Sequence, residues 1–461
     1  MIAASLRGPF SQVGSSAFRA LSSAVSFPDF ILQAPETKIA SLSNGVKVAT
    51  EARGGGLANL SLTIVVGSRF ETESTNGMSS LLKELGFAGK SSEISALGGR
   101  FSAEVGRESI AFKATVLPSD VKPALKVLVD AACLKNLTAQ NLEAAKGSVL
   151  CHITGAQLRP EEHVMEHLYD AAFLDSPMGM PVFGTKNSVA SIGERDLTEF
   201  ASKNILGSRV VVSGAGEVHH NEMAHACESL LGSLTGSKLG EVDFPLEECP
   251  FVGSDKRVRY DNKPLAHIAM AFKGPSLSSE YYFPSQLAMS IMGKYEESSG
   301  LGTDSSSRWH ISLAEHTKTV SAEAFSIGYK DTGLMGFKAI ASDCSLDNLM
   351  WFTMENFMRI CYKVTDEEVL RAKIAFKAKL LKDSASSSGA CDEIAHQVSN
   401  FGRRIHPTEL MARIDGITTE QVRETAYRFI HDQDHALGAV GPIYELPDYN
   451  WIRRRSYWLR Y

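Results

Sequence analysis

One motif occurs twice in this sequence, once in each half of the chain. A threonine followed at four-residue intervals by an aliphatic residue and a lysine begins at Thr138 and again at Thr365. The strand-like segment at Leu60 likewise has a counterpart at Ala266. A repeat this long corresponds to a whole domain rather than to one unit of a solenoid. The sequence therefore predicts two tandem domains of similar fold.

Strands and helices alternate within each half. Asn44-Gly45 separates two short alternating segments and predicts a tight hairpin, because both turn residues must adopt positive φ. Helical spacing follows at Met78, Leu81, Leu82 and Leu85. This order favours an α+β class over a doubly wound sheet. Each domain is predicted to be a mixed, mainly antiparallel sheet covered by helices.

Composition excludes several classes of protein. The 461 residues are 44% hydrophobic and 22% charged, which is typical of a folded globular chain. The formal net charge of -6 argues against nucleic acid as a partner. The apolar stretches are too short for the chain to have a membrane span of its own. Seven cysteines without a Cys-x-x-Cys pair indicate a reducing compartment, and we expect them to be buried.

The N-terminal segment 1–27 has a different composition from the rest. It contains no Asp or Glu, many serines, and two arginines, Arg7 and Arg19. This composition is typical of a mitochondrial presequence, and cleavage is expected between Leu21 and Ser22. A disordered N-terminus is the alternative. The predicted organisation is a presequence (1–27), an N-terminal domain (28–235), a linker (236–255) and a C-terminal domain (256–461).

Several segments resemble a known family along nearly the whole chain after the presequence. The family is the pitrilysin-type (insulinase-like) metallopeptidase superfamily, in the mitochondrial branch that contains the processing-peptidase subunits and the core proteins of respiratory complex III. The segments that carry this resemblance are Ala96-Leu97-Gly98-Gly99, Tyr329-x-Asp331-Thr332-Gly333-Leu334, Gly402-Arg403-Arg404-Ile405, Ala412-Arg413-Ile414-Asp415, Gly441-Pro442-Ile443 and Leu446-Pro447-Asp448-Tyr449-Asn450.

The resemblance implies a structural role. It suggests a non-catalytic core subunit of complex III (ubiquinol–cytochrome c reductase), peripheral on the matrix side of the mitochondrial inner membrane. A second core subunit of the same family would be its partner, with cytochrome b, cytochrome c1 and the iron–sulfur subunit as neighbours. The alternative is a subunit of the mitochondrial processing peptidase that binds or cleaves presequences.

The metal site of the family is where this sequence departs from it. Active members carry His-x-x-Glu-His on the first helix, with two zinc ligands and a general base, and a further Glu downstream. The resemblance places Ser80 and Glu84 at the histidine positions, Lys83 at the base and His152 at the distal Glu. A serine hydroxyl is a poor zinc ligand, and an ammonium repels a dication. We therefore expect an inactive homologue without zinc, haem or another cofactor.

A literal His-x-x-Glu-His is nevertheless present further along the chain. It comprises His163, Glu166 and His167 and falls on the helix after the one that carries His152. Taken alone, the motif indicates a zinc peptidase. Its place in the chain is wrong for the family, so a packed or solvated histidine pair is the favoured interpretation and a zinc site the minor one.

The C-terminal tail is the predicted contact with partners. It concentrates aromatic and arginine side chains, which buried protein contacts favour. A membrane-interface belt is the rival explanation. The residues predicted to make the contact are Trp451, Arg453, Arg454, Tyr457, Trp458 and Arg460.

Overall fold

The computed structural model describes residues 35–457, apart from 136, 233 and 235–248. The predicted cleavage site at Leu21 and Ser22 and the tail residues Trp458 and Arg460 lie outside the described residues. The strands are β1 (Thr37–Ser41), β2 (Lys47–Ala52), β3 (Ala58–Ile64), β4 (Arg100–Val105), β5 (Ile110–Val116), β6 (Val210–Gly216), β7 (Asp255–Arg259), β8 (Ala266–Gly274), β9 (Lys294–Glu296), β10 (Thr319–Gly328), β11 (Gly333–Ala341) and β12 (His435–Gly441).

The helices of the described parts of the chain lie mainly on one face of each sheet. They are α1 (Met78–Gly86), α2 (Ser91–Leu97), α3 (Val121–Ala132), α4 (Ala139–Leu158), α5 (Pro160–Ala172), α6 (Lys186–Ser191), α7 (Glu194–Asn204), α8 (His220–Leu231), α9 (Tyr282–Met292), α10 (Arg308–His316), α11 (Leu346–Lys363), α12 (Asp366–Ala385), α13 (Ser387–Phe401), α14 (Pro407–Gly416), α15 (Thr419–Ile430) and α16 (Tyr449–Arg454). None of them is long and apolar enough to span a membrane.

The two sheets share five strands in the same arrangement, to which the first sheet adds β1 at one edge and the second adds β9 at the opposite edge. Their strand orders are β1-β2-β6-β3-β5-β4 and β7-β12-β8-β11-β10-β9. One pair in each sheet is parallel, β2 with β6 and β7 with β12, and the other pairs are antiparallel. The predicted fold class of two mixed, mainly antiparallel sheets covered by helices is confirmed.

Each sheet has its own hydrophobic core beneath its helices. In the first domain α1 packs through Met78, Leu81, Leu82 and Leu85, and all four are at most 3% exposed. The spacing of these residues puts them on one face of the helix, as the sequence predicted. The packing fixes the orientation of α1, and the opposite face of this helix carries the candidate site.

Two helices cross between the domains. Helix α5 lies between β5 and β6 of the first sheet in sequence but packs on the second sheet, where Val164 and Leu168 join a cluster with Ala269. A Cβ at Gly438 of β12 would lie 2.6 Å from the Val164 carbonyl oxygen, so glycine is needed for this close approach. Helix α13 crosses in the other direction, and its Ile394 packs on the first sheet. Each sheet is thus covered on its second face by a helix from the other half.

A buried arginine also joins the domains. The Arg69 guanidinium donates to both carboxylate oxygens of Asp331, at 2.6 and 2.5 Å, and to Glu108 Oε1 at 2.7 Å. The Arg69 side chain is only 1% exposed. Because Asp331 lies between β10 and β11, this bidentate pair ties the first domain to a turn of the second.

The cysteines depart from expectation at three positions. Cys227, Cys249, Cys361 and Cys391 are buried, but Cys133 is half-buried and Cys151 and Cys344 are exposed. Cys151 lies on the outer side of α4, one residue before His152, where the helix faces solvent. The prediction that all seven are buried is therefore wrong for these three.

Candidate functional site

The four positions that the resemblance assigns to the zinc site meet between α1 and α4. Ser80, Lys83 and Glu84 come from α1, and His152 comes from α4. The backbone that follows Pro181 closes the site, because Val182 contacts Ser80 and Phe183 contacts Lys83 and His152. The four assigned side chains thus lie around one point of the fold, and the sequence gave no indication that Phe183 would join them.

Glu84 is the centre of the site. Its carboxylate accepts a hydrogen bond from Ser148 Oγ at 2.7 Å and pairs with Lys83 Nζ at 2.9 Å. His152 Nε2 lies 3.4 Å from the same carboxylate. Burial acts to raise the pKa of Glu84, but the bond from Ser148 and the bond and charge of Lys83 outweigh burial. The pKa of Glu84 therefore lies below its ordinary value, and the group is an anion at neutral pH.

An ammonium group is the cation of this site. Lys83 Nζ pairs with Glu84 and lies 5.8 Å from the centre of the Phe183 ring. The His152 ring also stacks on Phe183, with ring centres 5.7 Å apart. Because Lys83 pairs with Glu84, it neutralises the carboxylate that a metal ion would need as a ligand. The site is internally charge-balanced.

Ser80 is fully buried, and its hydroxyl donates a hydrogen bond to the Val182 carbonyl at 2.7 Å.

Sequence reasoning missed the residue that orients this helix, Glu71. The Glu71 carboxylate accepts the backbone N–H groups of Gly77 and Ser79 at 2.8 and 2.6 Å, at the start of α1. Its position a few residues before a helix start was the available signal.

The described residues contain no group of three or more His, Cys, Asp or Glu side chains arranged to hold a metal ion. At the candidate site the donors are one carboxylate and one imidazole, and the carboxylate is already bound by Ser148 and Lys83. The lysine cannot accept a proton from a water molecule while it is an ammonium. This arrangement can hold α1 and α4 together, and the ammonium of Lys83 is not a base.

The second His-x-x-Glu-His is arranged differently from a zinc site. Glu166 accepts a hydrogen bond at 2.9 Å from Arg107, whose guanidinium lies 3.5 Å above the Tyr169 ring. The rings of His163 and His167 are 4.2 Å apart. Burial lowers the pKa of both histidines, to about 4 for His167, with the charge of nearby Lys256 acting in the same direction. Both imidazoles are therefore neutral at pH 7.

The histidine pair lines a cavity of about 740 Å³ beside the candidate site. Phe183 forms part of its wall and also contacts His152 and Lys83 of the candidate site. Four carboxylates and two lysines also line it, namely Glu73, Glu166, Asp170, Asp175, Lys186 and Lys256. The lining is mixed in charge, with an acidic excess.

The tail residues within the described part of the chain pack on the second domain. Arg453 donates to Asp434 at 2.6 Å and to Asp432 at 3.0 Å. Ile452 is fully buried in the second core, and Trp451 lies against Trp351 with ring centres 6.1 Å apart. Arg454 is exposed and Tyr457 is half-buried. The tail is anchored by Ile452 and Arg453, which leaves Arg454 directed to solvent.

Two sheets with a common five-strand arrangement, related by an internal repeat and joined by crossing helices, define a peptidase-like two-domain protein. Residues 47–186 match the family model "Insulinase (Peptidase family M16)", and residues 191–376 match "Peptidase M16 inactive domain". The chain belongs to the M16 peptidase family. The resemblance seen in the sequence is therefore confirmed.

Individual relatives point to mitochondria. A probable mitochondrial-processing peptidase subunit beta of Arabidopsis thaliana is 34% identical, covering 94% of this chain and 83% of that protein. Human cytochrome b-c1 complex subunit 1 is 30% identical, covering 96% of this chain and 94% of that protein. A solved structure of complex III2 from Candida albicans contains a chain that superposes with a TM-score of 0.85 at 27% identity, covering 92% of this chain and 100% of that one.

Proposed function

We propose that this protein is a non-catalytic core subunit of mitochondrial respiratory complex III. It would lie peripherally on the matrix side of the inner membrane and pair with a second core subunit of its family. Cytochrome b, cytochrome c1 and the iron–sulfur subunit would be its neighbours. Its contribution to electron transport would be structural, through assembly and support of the subunits that carry the redox groups.

The observation that carries this proposal is the ion pair between Lys83 and Glu84. A base is needed to activate a metal-bound water, and the position that the resemblance assigns to it holds an ammonium 2.9 Å from a carboxylate. The similarity to a complex III chain over 92% of this chain supports the same function. Two of the four assigned positions, Ser80 and Lys83, carry side chains that zinc does not favour.

Native electrophoresis of detergent-solubilised mitochondrial membranes tests the proposal. We expect the chain to migrate with cytochrome b and cytochrome c1 in one large complex. We also expect the purified chain, mixed with a processing-peptidase partner and a fluorescent presequence peptide, to cleave nothing above the rate of a His163→Ala control. A chain found only in the soluble fraction, or one that cleaves presequences, would overturn the proposal.

The cavity favours one second candidate, a processing-peptidase subunit that binds presequences. Its acidic excess suits a basic peptide, and Phe173 and Phe183 supply apolar contacts. The Arabidopsis relative is named as a processing-peptidase subunit. Saturable binding of a presequence peptide, weakened by Asp175→Asn with Asp261→Asn as the surface control, would support this candidate.

A further inference from the structure

Because the two halves of the chain are related by a repeat, surface positions of the second domain can be compared with the corresponding positions of the first. Counting back from the matched caps Thr138 and Thr365, Tyr362 at the end of α11 corresponds to Lys135. Helix α3 aligns with α11 when the buried pair Ala124 and Leu125 is matched to the buried pair Leu349 and Met350. The positions matched by the helix alignment are equivalent in the fold, whereas Lys135 matches Tyr362 only in its distance from the cap, because α3 ends at Ala132 and α11 continues to Lys363.

The second domain exposes aromatic rings where the first domain exposes polar side chains. In the helix alignment Trp351 on α11 corresponds to Lys126 on α3. Tyr427 on α15 corresponds to Ser202 on α7, because Ile192 and Ile417 precede the two helices at matching positions. The exposed fractions of Trp351, Tyr362 and Tyr427 are 40%, 38% and 47%. The fold does not require aromatic residues at the positions of Trp351 and Tyr427, since its other copy has none there.

The exposed rings form two clusters along α11. Arg455 lies 3.7 Å from the ring centre of Trp351 and 4.8 Å from that of Trp451. Tyr362 packs edge-to-face on Tyr427 with ring centres 5.8 Å apart. We call Trp351, Tyr362, Tyr427, Trp451, Arg454 and Arg455 the aromatic–arginine surface.

The two arginines of this surface, Arg454 and Arg455, differ from the adjacent Arg453 in their ion-pair partners. Arg453 is paired with Asp432 and Asp434, but within the described residues Arg454 and Arg455 have no carboxylate partner. A guanidinium flanked by rings offers planar hydrogen bonds that match a carboxylate. Arg454 and Arg455 are therefore open to a carboxylate that a partner protein would supply.

We propose that the aromatic–arginine surface docks an acidic, apolar segment of a neighbouring protein subunit. Trp, Tyr and Arg are the residues that dominate the centres of protein interfaces. Membrane lipid is disfavoured because recruitment to an anionic bilayer uses clusters of roughly four to eight basic residues. Here two arginines belong to a chain of formal net charge -6. The inference rests on the proposed function, which supplies the membrane-embedded neighbours.

The test transplants the residues of the first half into the second. The full chain carrying Trp351→Lys, Tyr362→Lys and Tyr427→Ser is expressed in mitochondria that lack the native chain, and its share in the large membrane complex is measured on native gels. We expect at least a tenfold loss of that share with an unchanged thermal midpoint. Tyr444→Lys is the matched control, since Tyr444 is 77% exposed and lies instead against Arg259. Full assembly of the triple variant would overturn the inference.

A photo-crosslinking arm identifies the occupant even where the triple variant fails to fold. A benzophenone amino acid at position 351 keeps an aromatic ring there, and the crosslink should fall on a carboxylate-rich segment of another protein. Crosslinks confined to lipid, or none, would overturn the inference. If the wild-type chain is absent from complex III but crosslinks to such a protein, the proposed function fails and the docking surface stands. If the wild-type chain is found in complex III but position 351 gives no such crosslink, the docking surface fails and the proposed function stands.

Discussion

Thr138 and Thr365, which lie in different halves of the chain, perform the same local task. Each is the N-cap of a 20-residue helix, and each hydroxyl accepts the backbone N–H of the third residue that follows, Asn141 or Glu368. The helices that they begin, α4 and α12, occupy equivalent places in the two domains. The motif that revealed the repeat is therefore a helix start that both halves of one chain retain.

We expect Thr138→Ala and Thr365→Ala each to lower the free energy of unfolding by about 1 kcal/mol, because each removes a cap from an orphan backbone N–H. Urea denaturation followed by circular dichroism measures both. Thr154→Ala is the control, since its hydroxyl donates to the Leu150 carbonyl within α4 and caps nothing. Equal effects of all three substitutions would contradict the assignment.

We expect the purified chain to contain no stoichiometric zinc, and Lys83→Glu alone to restore none, because Ser80 and Glu84 still supply no imidazole. The combined variant Ser80→His, Lys83→Glu, Glu84→His and His152→Glu supplies two imidazoles, a base and a distal carboxylate, and should bind zinc. Elemental analysis of the dialysed proteins measures this. One zinc per wild-type chain, lost in His163→Ala, would instead locate a metal site on α5.

The site should make stability depend on pH. The pKa of Glu84 is lowered in the folded chain, so its stabilising contribution is present above the ordinary pKa of a glutamate and is lost as pH falls through the folded value. We expect Glu84→Gln to flatten the loss of unfolding free energy between about pH 5 and pH 3. Glu143→Gln, at an exposed position of α4, is the control. Identical pH profiles for Glu84→Gln and the wild type would refute this expectation.

Arg69→Met should destabilise the chain by about 3–5 kcal/mol, since it leaves the carboxylates of Asp331 and Glu108 without their shared cation. Differential scanning calorimetry measures the loss, and the double variant with Asp331→Asn should recover part of it. Arg259→Met removes an exposed pair with Asp261 and should leave the transition where it is. If Arg69→Met and Arg259→Met lower the stability by a similar amount, Arg69 does not act as a link between the domains.

The mature N-terminus is predicted at Ser22, after cleavage that follows Leu21. The acid-free, serine-rich segment ends shortly before Asp29, where the composition becomes that of the folded chain. N-terminal sequencing of the protein from mitochondria tests this. Recovery of intact Met1 from the organelle would count against it.

Sequence reasoning succeeded where spacing alone decides the outcome. The buried stripe of Met78, Leu81, Leu82 and Leu85 follows from local periodicity, and it is present in the structure. It missed the exchange of α5 and α13, because periodicity shows that a helix buries one face and not which sheet receives it. Similarly, Arg453 was predicted as a partner contact, and no local pattern indicated that Asp432 and Asp434 would pair with it.

The crossing of α5 and α13 sets an order of events for a chain delivered N-terminus first. The strands of the first sheet have all emerged by Gly216, yet α13, which shields the apolar Ala49 and Val211, begins only at Ser387. Most of the second domain must arrive before that surface is covered. We therefore expect a nascent or newly imported chain to expose this apolar sheet face until α13 has emerged, and to bind holding factors that recognise such faces during that interval.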